Sequence, residues 1–254
     1  IHPYRAAGWN RDQVYPWLGF DRFLSESDFQ GPRRIRDYIS DESSFEKVIE
    51  VYEEGKEEAP QFIFNVTMQN HGSYGESAPN FPEEVQALSA ESEGLNRYLS
   101  LIRLSDEALY HLISYFKGQD EKTILVFFGD HQPNDTIASP VLQSEGKDAE
   151  TLTEEEEALR YTVPYLIWAN FDIEEASDGE TSANYLAEKT LTQAGIPCSP
   201  YFAFLKDTSE AFPVVSAECV KDETGEMYAA EEALPLLSEY RKVQYYELFD
   251  AAEK

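Results

Sequence analysis

The stretch Thr123-Ile-Leu-Val-Phe-Phe-Gly-Asp-His-Gln-Pro133 decides the fold that we expect for this chain. Its five consecutive apolar residues, Ile124 to Phe128, are typical of a strand that is buried on both faces of a parallel sheet. Gly129 permits a sharp turn, and Asp130 and His131 follow at the sheet edge where α/β proteins bind ligands. Carboxylate oxygens and imidazole nitrogens are metal-ligand types, so the stretch predicts a strand that ends in a metal site. The alternative is an ordinary hydrogen-bonded turn.

A second stretch repeats this design earlier in the chain. Gln61 to Thr67 is again largely apolar, and it leads into a turn-rich segment that contains Asn70 and His71. Between the two stretches, apolar residues keep helical spacing from Leu95 to Phe116, and Gly118 closes the helix. A strand, a helix and another strand in this order predict a right-handed crossover in a parallel sheet. We therefore expect an α/β fold, with a mostly parallel sheet flanked by helices and both polar loops at one edge.

Shorter patterns predict the remaining elements. Phe45 to Tyr52 reads as an amphipathic helix, and Tyr161 to Trp168 as a strand that Pro164 places at a strand start or a sheet edge. The tail predicts a short strand within 212–220, followed by a helix or irregular segment within 234–249. Because no repeat or linker interrupts the chain, residues 1–254 are predicted to be one domain or part of one.

Composition limits the classes of function. Acidic residues outnumber basic residues by 49 to 20, which gives a formal charge of −29. Such a surface repels nucleic-acid phosphates and discourages adhesion to an anionic bilayer, so nucleic-acid binding is not expected. No apolar run approaches the roughly 18 residues of a membrane span. Cys198 and Cys219 allow at most one disulfide.

Polar and aromatic residues follow one another along the chain in a recognisable order. The ordered set consists of His2, Trp9-Asn10-Arg11-Asp12, Asn70-His71 and Gly129-Asp130-His131. In order and spacing, this set resembles the lipoteichoic acid synthase family of phosphoglycerol transferases, within the sulfatase and alkaline phosphatase superfamily. Two later segments, Tyr185 to Pro197 and Gln244-Tyr245, resemble the late helix and the closing segment of the same family. The resemblance covers nearly the whole chain and implies an alkaline phosphatase/sulfatase-like fold.

The resemblance implies a pocket for a glycerol phosphate head group, lined by His2, Trp9, Arg11 and His71. These residue types suit that ligand. An arginine can hold a phosphate through two parallel hydrogen bonds, and an indole can pack against the glycerol carbons. A histidine can donate to phosphate oxygens or protonate a leaving alkoxide.

The resemblance also implies a catalytic divalent cation. Asp130 and His131 would be its ligands, with Mn²⁺ as the expected metal and Mg²⁺ or Zn²⁺ as alternatives. Such a cation lowers the pKa of a nucleophile and balances charge on the phosphoryl oxygens during transfer.

The family's nucleophile is a threonine that lies upstream of the segment matched by His2. We therefore expect residues 1–254 to be the C-terminal portion of a single catalytic domain, with no catalytic nucleophile of its own and no activity alone. Glu180-Thr181-Ser182 looks like a nucleophile motif, but it follows Gly-Asp-His and stands in the wrong order. Thr181 is instead predicted to cap a helix.

For the parent protein, the resemblance implies transfer of glycerol phosphate from phosphatidylglycerol, through a phosphoglyceryl-threonine intermediate, to a polymer or glycolipid of the cell envelope. Membrane anchoring by N-terminal helices and an extracellular location are implied as well. The present chain is expected to be soluble, and an unpaired sheet edge could lead it to self-associate.

Two alternatives stay open at this stage. The first is another chemistry of the same superfamily: a sulfatase, a phosphatase or a phosphoethanolamine transferase. The second is a non-catalytic module that binds anionic head groups through Trp9, Arg11 and His71. Taken singly, each residue also has a plain structural role open to it, such as a core tryptophan or a surface ion pair.

Overall fold

The structure is a computed structural model that describes residues 1–177 and 179–250. Within these ranges the α-helices are α1 Arg11–Trp17, α2 Asp41–Gly55, α3 Glu93–Lys117, α4 Asp135–Ser144, α5 Glu154–Leu159, α6 Leu186–Gln193, α7 Pro200–Ala211 and α8 Ser238–Tyr245. The strands are β1 Arg34–Ile35, β2 Tyr38–Ile39, β3 Ile124–Phe128, β4 Tyr165–Ala169, β5 Val214–Val215, β6 Cys219–Lys221 and β7 Met227–Ala229. Short 3-10 helices cover Gly8–Asn10, Glu26–Asp28 and Ala183–Tyr185, and a π-helix covers Tyr246–Asp250.

The chain divides into two compact units. The first unit consists of Ile1–Gln119 and Pro133–Thr151, and the second consists of Asp120–Gln132 and the chain from Leu152 onward. The expectation that residues 1–254 belong to one sulfatase-like domain stays a prediction. None of the helices within the described residues is long and apolar enough to cross a membrane.

Helices α2 and α3 form the centre of the first unit, and both confirm the predicted helical spacing. The side chain of Ser40 caps α2 by accepting a hydrogen bond from the Ser43 amide at 3.2 Å, and Ser92 caps α3 in the same way. Leu101 of α3 is fully buried in the apolar cluster of this unit, together with Ile35 and Ile137. The fold of this unit therefore depends on the apolar face of α3.

The strand predicted from Gln61 to Thr67 is wrong, because this segment is irregular in the structure. It is nevertheless tied to the start of the chain. The Ile1 ammonium donates to the Phe64 carbonyl at 2.6 Å, and the Val66 amide donates to the Ile1 carbonyl at 3.0 Å. An apolar run favours a strand only where a neighbouring strand supplies a hydrogen-bonded ladder. Ile1, which supplies the two hydrogen bonds above, lies outside any strand of the described residues.

The two-stranded sheet β3-β4 of the second unit differs from the predicted parallel arrangement. β3 pairs with β4 antiparallel, in a register that opposes Val126 to Ile167. All ladders within the described residues are antiparallel, so the α/β class holds but the mostly parallel sheet does not. The apolar patterns of β3 and β4 predict that strands form, whereas their relative direction depends on how the intervening chain returns.

Burial of β3 also differs from the prediction. Ile124 to Phe127 are half-buried, and Phe128 is 40% exposed. β3 belongs to a sheet of two strands, so it is an edge strand and not the central strand that was expected. Gly129 is needed for a close approach to another segment. Its amide donates to the Pro164 carbonyl, and a β-carbon at this position would lie 3.1 Å from the Val163 β-carbon. Pro164 directly precedes β4, as predicted.

Two features of the later chain complete the second unit. Val220 of the three-stranded sheet β5-β6-β7 is buried in a small apolar cluster with Ala233 and Leu237. The predicted capping role of Thr181 is wrong. Ser182 holds the N-cap position of the 3-10 helix that leads into α6, and the buried hydroxyl of Thr181 has no hydrogen-bond partner within residues 1–177 and 179–250.

Replacing Leu101 by alanine tests the importance of the α3 apolar face. We expect Leu101→Ala to lower the free energy of unfolding by about 2–5 kcal/mol, because it leaves a cavity at a fully buried position. The neighbouring Ile102 is 40% exposed, so Ile102→Ala is a matched control that should cost less than about 1 kcal/mol. Denaturant unfolding measures both values, and equal losses would contradict the described packing.

Candidate functional site

A short turn before α1 places two of the predicted site residues. Trp9 and Asn10 have φ values of 54° and 56°, the left-handed region that non-glycine residues rarely adopt. Arg11 then begins α1, and its guanidinium carbon lies 4.7 Å from the centroid of the Trp9 ring. The Nε of Arg11 donates to the Tyr15 hydroxyl at 3.0 Å. The turn therefore holds the indole and the guanidinium together in a cation–π pair.

His2 contacts the Arg11 guanidinium and is fully buried. Its Nδ1 is 2.8 Å from the Val66 carbonyl oxygen, which can only accept a hydrogen bond, so Nδ1 carries the proton. The other ring nitrogen, Nε2, is then free to accept from Nη1 of Arg11 at 3.3 Å. Burial lowers the pKa of His2, and the charge of Arg11 lowers it further against the raising effect of the Val66 carbonyl. A neutral His2 therefore orients the guanidinium.

His71 joins the same cluster from a distant part of the sequence. Its ring centroid lies 5.9 Å from that of Trp9, and the Trp9 ring in turn lies 5.8 Å from that of His2. The structure thus brings together His2, Trp9, Arg11 and His71, the four residues predicted to bind the head group. Their role in binding stays a prediction, whereas their proximity is an observation.

The hydrogen bonds of His71 determine which ring nitrogen is available to a ligand. Nδ1 of His71 is 3.0 Å from the Gly72 carbonyl oxygen, so Nδ1 is the donor. The Tyr38 hydroxyl lies 3.3 Å from the same nitrogen and donates to the same carbonyl. Nε2 is left to accept a proton from a ligand or, when protonated, to donate to a phosphate oxygen. His71 is exposed, unlike His2.

A buried polar network supports the loop that carries His71. The hydroxyl of Ser105 donates to Oδ2 of Asp41 at 2.5 Å and accepts from the side chain of Asn70 at 2.8 Å. The Asp41 amide donates to the side chain of Gln69 at 3.1 Å. Among the described residues, no hydrogen bond reaches Oδ1 of Asp41. Burial raises the pKa of Asp41 to about 6, against the lowering effect of the hydrogen bond from Ser105.

The raised pKa of Asp41 makes stability depend on pH in a defined direction. Between the unfolded pKa near 3.8 and the folded value of about 6, the folded state binds more protons, so Asp41 contributes stability at low pH that is lost as pH rises. The free energy of unfolding of the unmodified chain should therefore fall between pH 4 and pH 7.5 relative to that of Asp41→Asn, which cannot ionise. We expect the difference between the two proteins to change by on the order of 3 kcal/mol over this range. Denaturant unfolding of both proteins at the two pH values measures this difference. An unchanged difference would show that Asp41 ionises normally.

The predicted metal ligands, Asp130 and His131, lie in the second unit on the exposed loop after β3. Nδ1 of His131 donates to the Gln132 carbonyl at 2.8 Å, and the amide of His131 donates to Oδ1 of Asp130 at 2.9 Å. Nε2 of His131 lies 3.5 Å from Oδ2 of Asp130. A backbone carbonyl on one ring nitrogen is the usual way in which proteins present the other nitrogen to a metal. These two side chains therefore fit a divalent cation as part of its ligand set.

Two ligands do not complete a metal site. Within residues 1–177 and 179–250, no group of three or more histidine, cysteine, aspartate or glutamate side chains is arranged to hold a metal ion. Further oxygen or nitrogen ligands would have to join Asp130 and His131.

The sequence analysis did not identify several residues that contact the cluster of His2, Trp9, Arg11 and His71. Tyr4 contacts His2, Trp9 and Tyr38, with ring centroids about 6 Å apart in each case. Tyr38 contacts His71, and Asp41 supports the loop that carries it. None of these residues belongs to a recognisable motif, since each is brought to the site by tertiary packing.

Comparison with known proteins identifies the family. The sequence profile described as "Sulfatase" matches residues 1–196. A candidate cyclic beta-1,2-glucan modification protein of Rhizobium meliloti is 30% identical over 220 residues, which is 85% of this chain and 34% of that protein. The lipoteichoic acid synthase-like protein YvgJ of Bacillus subtilis is 29% identical over 136 residues, which is 52% of this chain and 21% of that protein. The chain thus spans about a third of the length of the first relative and about a fifth of the second.

The fold is similar to that of a solved enzyme. The phosphoglycerol transferase GacH of Streptococcus pyogenes, in complex with sn-glycerol-1-phosphate, superposes with a TM-score of 0.63 at 22% identity, covering 84% of this chain and 53% of that one. This likeness confirms the expected alkaline phosphatase/sulfatase class of fold. The family match and the Bacillus subtilis relative confirm the resemblance to lipoteichoic acid synthase-like proteins.

Proposed function

Because this chain belongs to the sulfatase family, we propose that it is the head-group-binding portion of a metal-dependent phosphoglycerol transferase. In this proposal, the parent protein takes glycerol phosphate from phosphatidylglycerol onto a threonine and passes it to an acceptor of the cell envelope. The parent is proposed to be membrane-anchored and to act on the extracellular face. The proposal places the nucleophilic threonine elsewhere in the parent protein, so the chain alone is expected to release no head group from labelled phosphatidylglycerol.

One observation carries the proposal. His2, Trp9 and Arg11 meet His71, although about 60 residues separate His71 from the others in sequence. The arrangement suits glycerol phosphate in particular. The guanidinium can bind two phosphate oxygens, the indole can cover the glycerol carbons, and Nε2 of His71 can donate to a phosphate oxygen or a leaving alkoxide.

Electrostatics support an anionic ligand at this cluster. The described contacts of the Arg11 guanidinium are with Tyr15, His2 and the Trp9 ring, and none of these is a carboxylate. In a chain with a formal charge of −29, an arginine that keeps neutral partners is available to an anion. A neutral His2 leaves that positive charge uncompensated and fixes its direction.

Asp130 and His131 are proposed to hold the divalent cation, with Mn²⁺ as the expected ion. When bound, the cation would lower the pKa of the nucleophile and balance charge on the phosphoryl oxygens. The chain's own contribution would be to present a carboxylate oxygen and Nε2 of His131, which the Gln132 carbonyl orients.

The comparisons support this chemistry and suggest the acceptor class. GacH is a phosphoglycerol transferase in complex with sn-glycerol-1-phosphate, the ligand proposed here. The Rhizobium meliloti relative is named for modification of a cyclic glucan, and YvgJ is named for its likeness to lipoteichoic acid synthase. We therefore propose a glucan or a glycerol phosphate polymer as the acceptor.

Affinity for sn-glycerol-1-phosphate tests the proposed site. We expect Arg11→Lys to weaken binding by roughly one to two orders of magnitude, because a lysine cannot form the paired hydrogen bonds. Arg22, which forms an ion pair with Glu54 in the same unit, provides the matched control, and Arg22→Lys should bind normally. Titration calorimetry with Mn²⁺ present measures both. Equal affinity in the Arg11 and Arg22 variants would contradict the proposed site.

The same titration separates the proposal from a metal-independent binding module. A module that recognises head groups without a metal would keep its affinity in chelator and in Asp130→Asn. The transferase proposal expects both changes to weaken binding of the phosphate. A sulfatase would instead require an oxidised cysteine or serine as nucleophile, which sequencing of the parent gene upstream of this chain would reveal.

A further inference from the structure

Arg36 occupies an unusual position in the hairpin formed by β1 and β2. Its φ is 55°, in the left-handed region that ordinarily favours glycine or asparagine. Its Nε is buried, and no described residue forms a hydrogen bond with it. Each feature is unfavourable by itself, and both occur at one arginine in the turn of the hairpin. Such a combination persists only where surrounding contacts compensate for it.

The compensating contacts all go to the loop that carries His71. Nη1 of Arg36 donates to the Ser73 carbonyl at 2.6 Å, and Nη2 donates to the carbonyls of Gln69 and His71 at 2.7 and 2.8 Å. The guanidinium therefore binds every second carbonyl between residues 69 and 73. This pattern uses the planar fork of an arginine, and a lysine ammonium cannot reproduce it.

Neighbouring arginines of the same hairpin behave differently. Arg33 and Arg34 form ion pairs with Glu42 and Glu26, at 2.7 and 2.5 Å, and Arg34 also donates to the Asp37 carbonyl at 2.9 Å. Arg36 has the described loop carbonyls as its hydrogen-bond partners, and its guanidinium lies over the rings of Tyr38 and Tyr74 at 5.5 and 5.7 Å. The difference indicates that Arg36 organises the loop, whereas its neighbours lie on the surface.

Tyr38 links the hairpin to the imidazole itself. Its hydroxyl donates to the Gly72 carbonyl and lies 3.3 Å from Nδ1 of His71. The Asn80 side chain holds the turn by donating to the carbonyls of Arg34 and Arg36 at 3.1 and 3.0 Å. The hairpin thus contacts two parts of the loop that carries His71. Arg36 and Tyr38 donate to the backbone carbonyls of the loop, and the Tyr38 hydroxyl also contacts the His71 ring.

We propose that Arg36 is a positioning residue that fixes the Gln69–Ser73 loop so that Nε2 of His71 faces the head-group pocket. This inference rests on the proposed function, since it assigns Arg36 a role in the same glycerol phosphate site. Arg36 does not touch the ligand. It acts through His71, with the Tyr38 hydroxyl supporting the ring.

A double-mutant cycle tests this action through His71. The four proteins are the unmodified chain, Arg36→Lys, His71→Ala and the double variant, titrated with sn-glycerol-1-phosphate and Mn²⁺. We expect Arg36→Lys to weaken binding roughly tenfold in the unmodified chain and less than about twofold in the His71→Ala background. Arg33→Lys, a change next to the same hairpin at an arginine whose side chain pairs with Glu42, should have no effect. Equal losses in both backgrounds would overturn the proposal, because a general structural defect is additive.

Hydrogen exchange without ligand keeps the two proposals separate. Arg36→Lys should speed exchange of the amides of residues 70–73 and leave α3 unchanged, whereas unchanged loop exchange would overturn the positioning role. If the unmodified chain binds no glycerol phosphate, the proposed function fails, and loop exchange still decides whether Arg36 holds the loop. If Arg36→Lys does not fold, Tyr38→Phe replaces it in the cycle, with the same requirement for loss only when His71 is present.

Discussion

The hydrogen bonds of one buried imidazole determine the geometry of the proposed head-group site. Because Nδ1 of His2 donates to the Val66 carbonyl, Nε2 must accept from Arg11, and the guanidinium is held against the Trp9 ring. The residue before His2 is held at the same place, because Ile1 forms backbone hydrogen bonds with Phe64 and Val66. If His2 were charged, Nε2 would also be a donor and would repel Arg11. The neutral state of His2 is therefore the condition on which the cluster depends.

Around this cluster, two arginines have different tasks. Arg11 keeps neutral partners and faces the proposed anion, whereas Arg36 uses its hydrogen bonds on the backbone of the loop that carries His71. In so acidic a chain, most other arginines of the first unit are paired with glutamates. Selective pairing thus leaves positive charge at the proposed phosphate site, although the overall charge of the protein is negative.

The sequence predicted best the helices and strands that are specified by residues close together in the chain. The helices α2 and α3 follow from apolar spacing and serine caps, and β3 and β4 follow from short apolar runs. Strand direction and the fate of residues 61–67 depend on which segments meet in space, so the expected parallel sheet was wrong. The motif order identified Trp9, Arg11 and His71, but it carried no information on Arg36, Tyr38 or Asp41, which reach the site through tertiary packing.

A structure of the chain with bound sn-glycerol-1-phosphate tests the central claim most directly. We predict that the phosphate lies within hydrogen-bonding distance of the Arg11 guanidinium and Nε2 of His71, with the glycerol carbons against the Trp9 ring and His2 still bonded to Val66. A phosphate that binds elsewhere on the chain, or a His2 ring that turns to donate from Nε2 to the ligand, would contradict it.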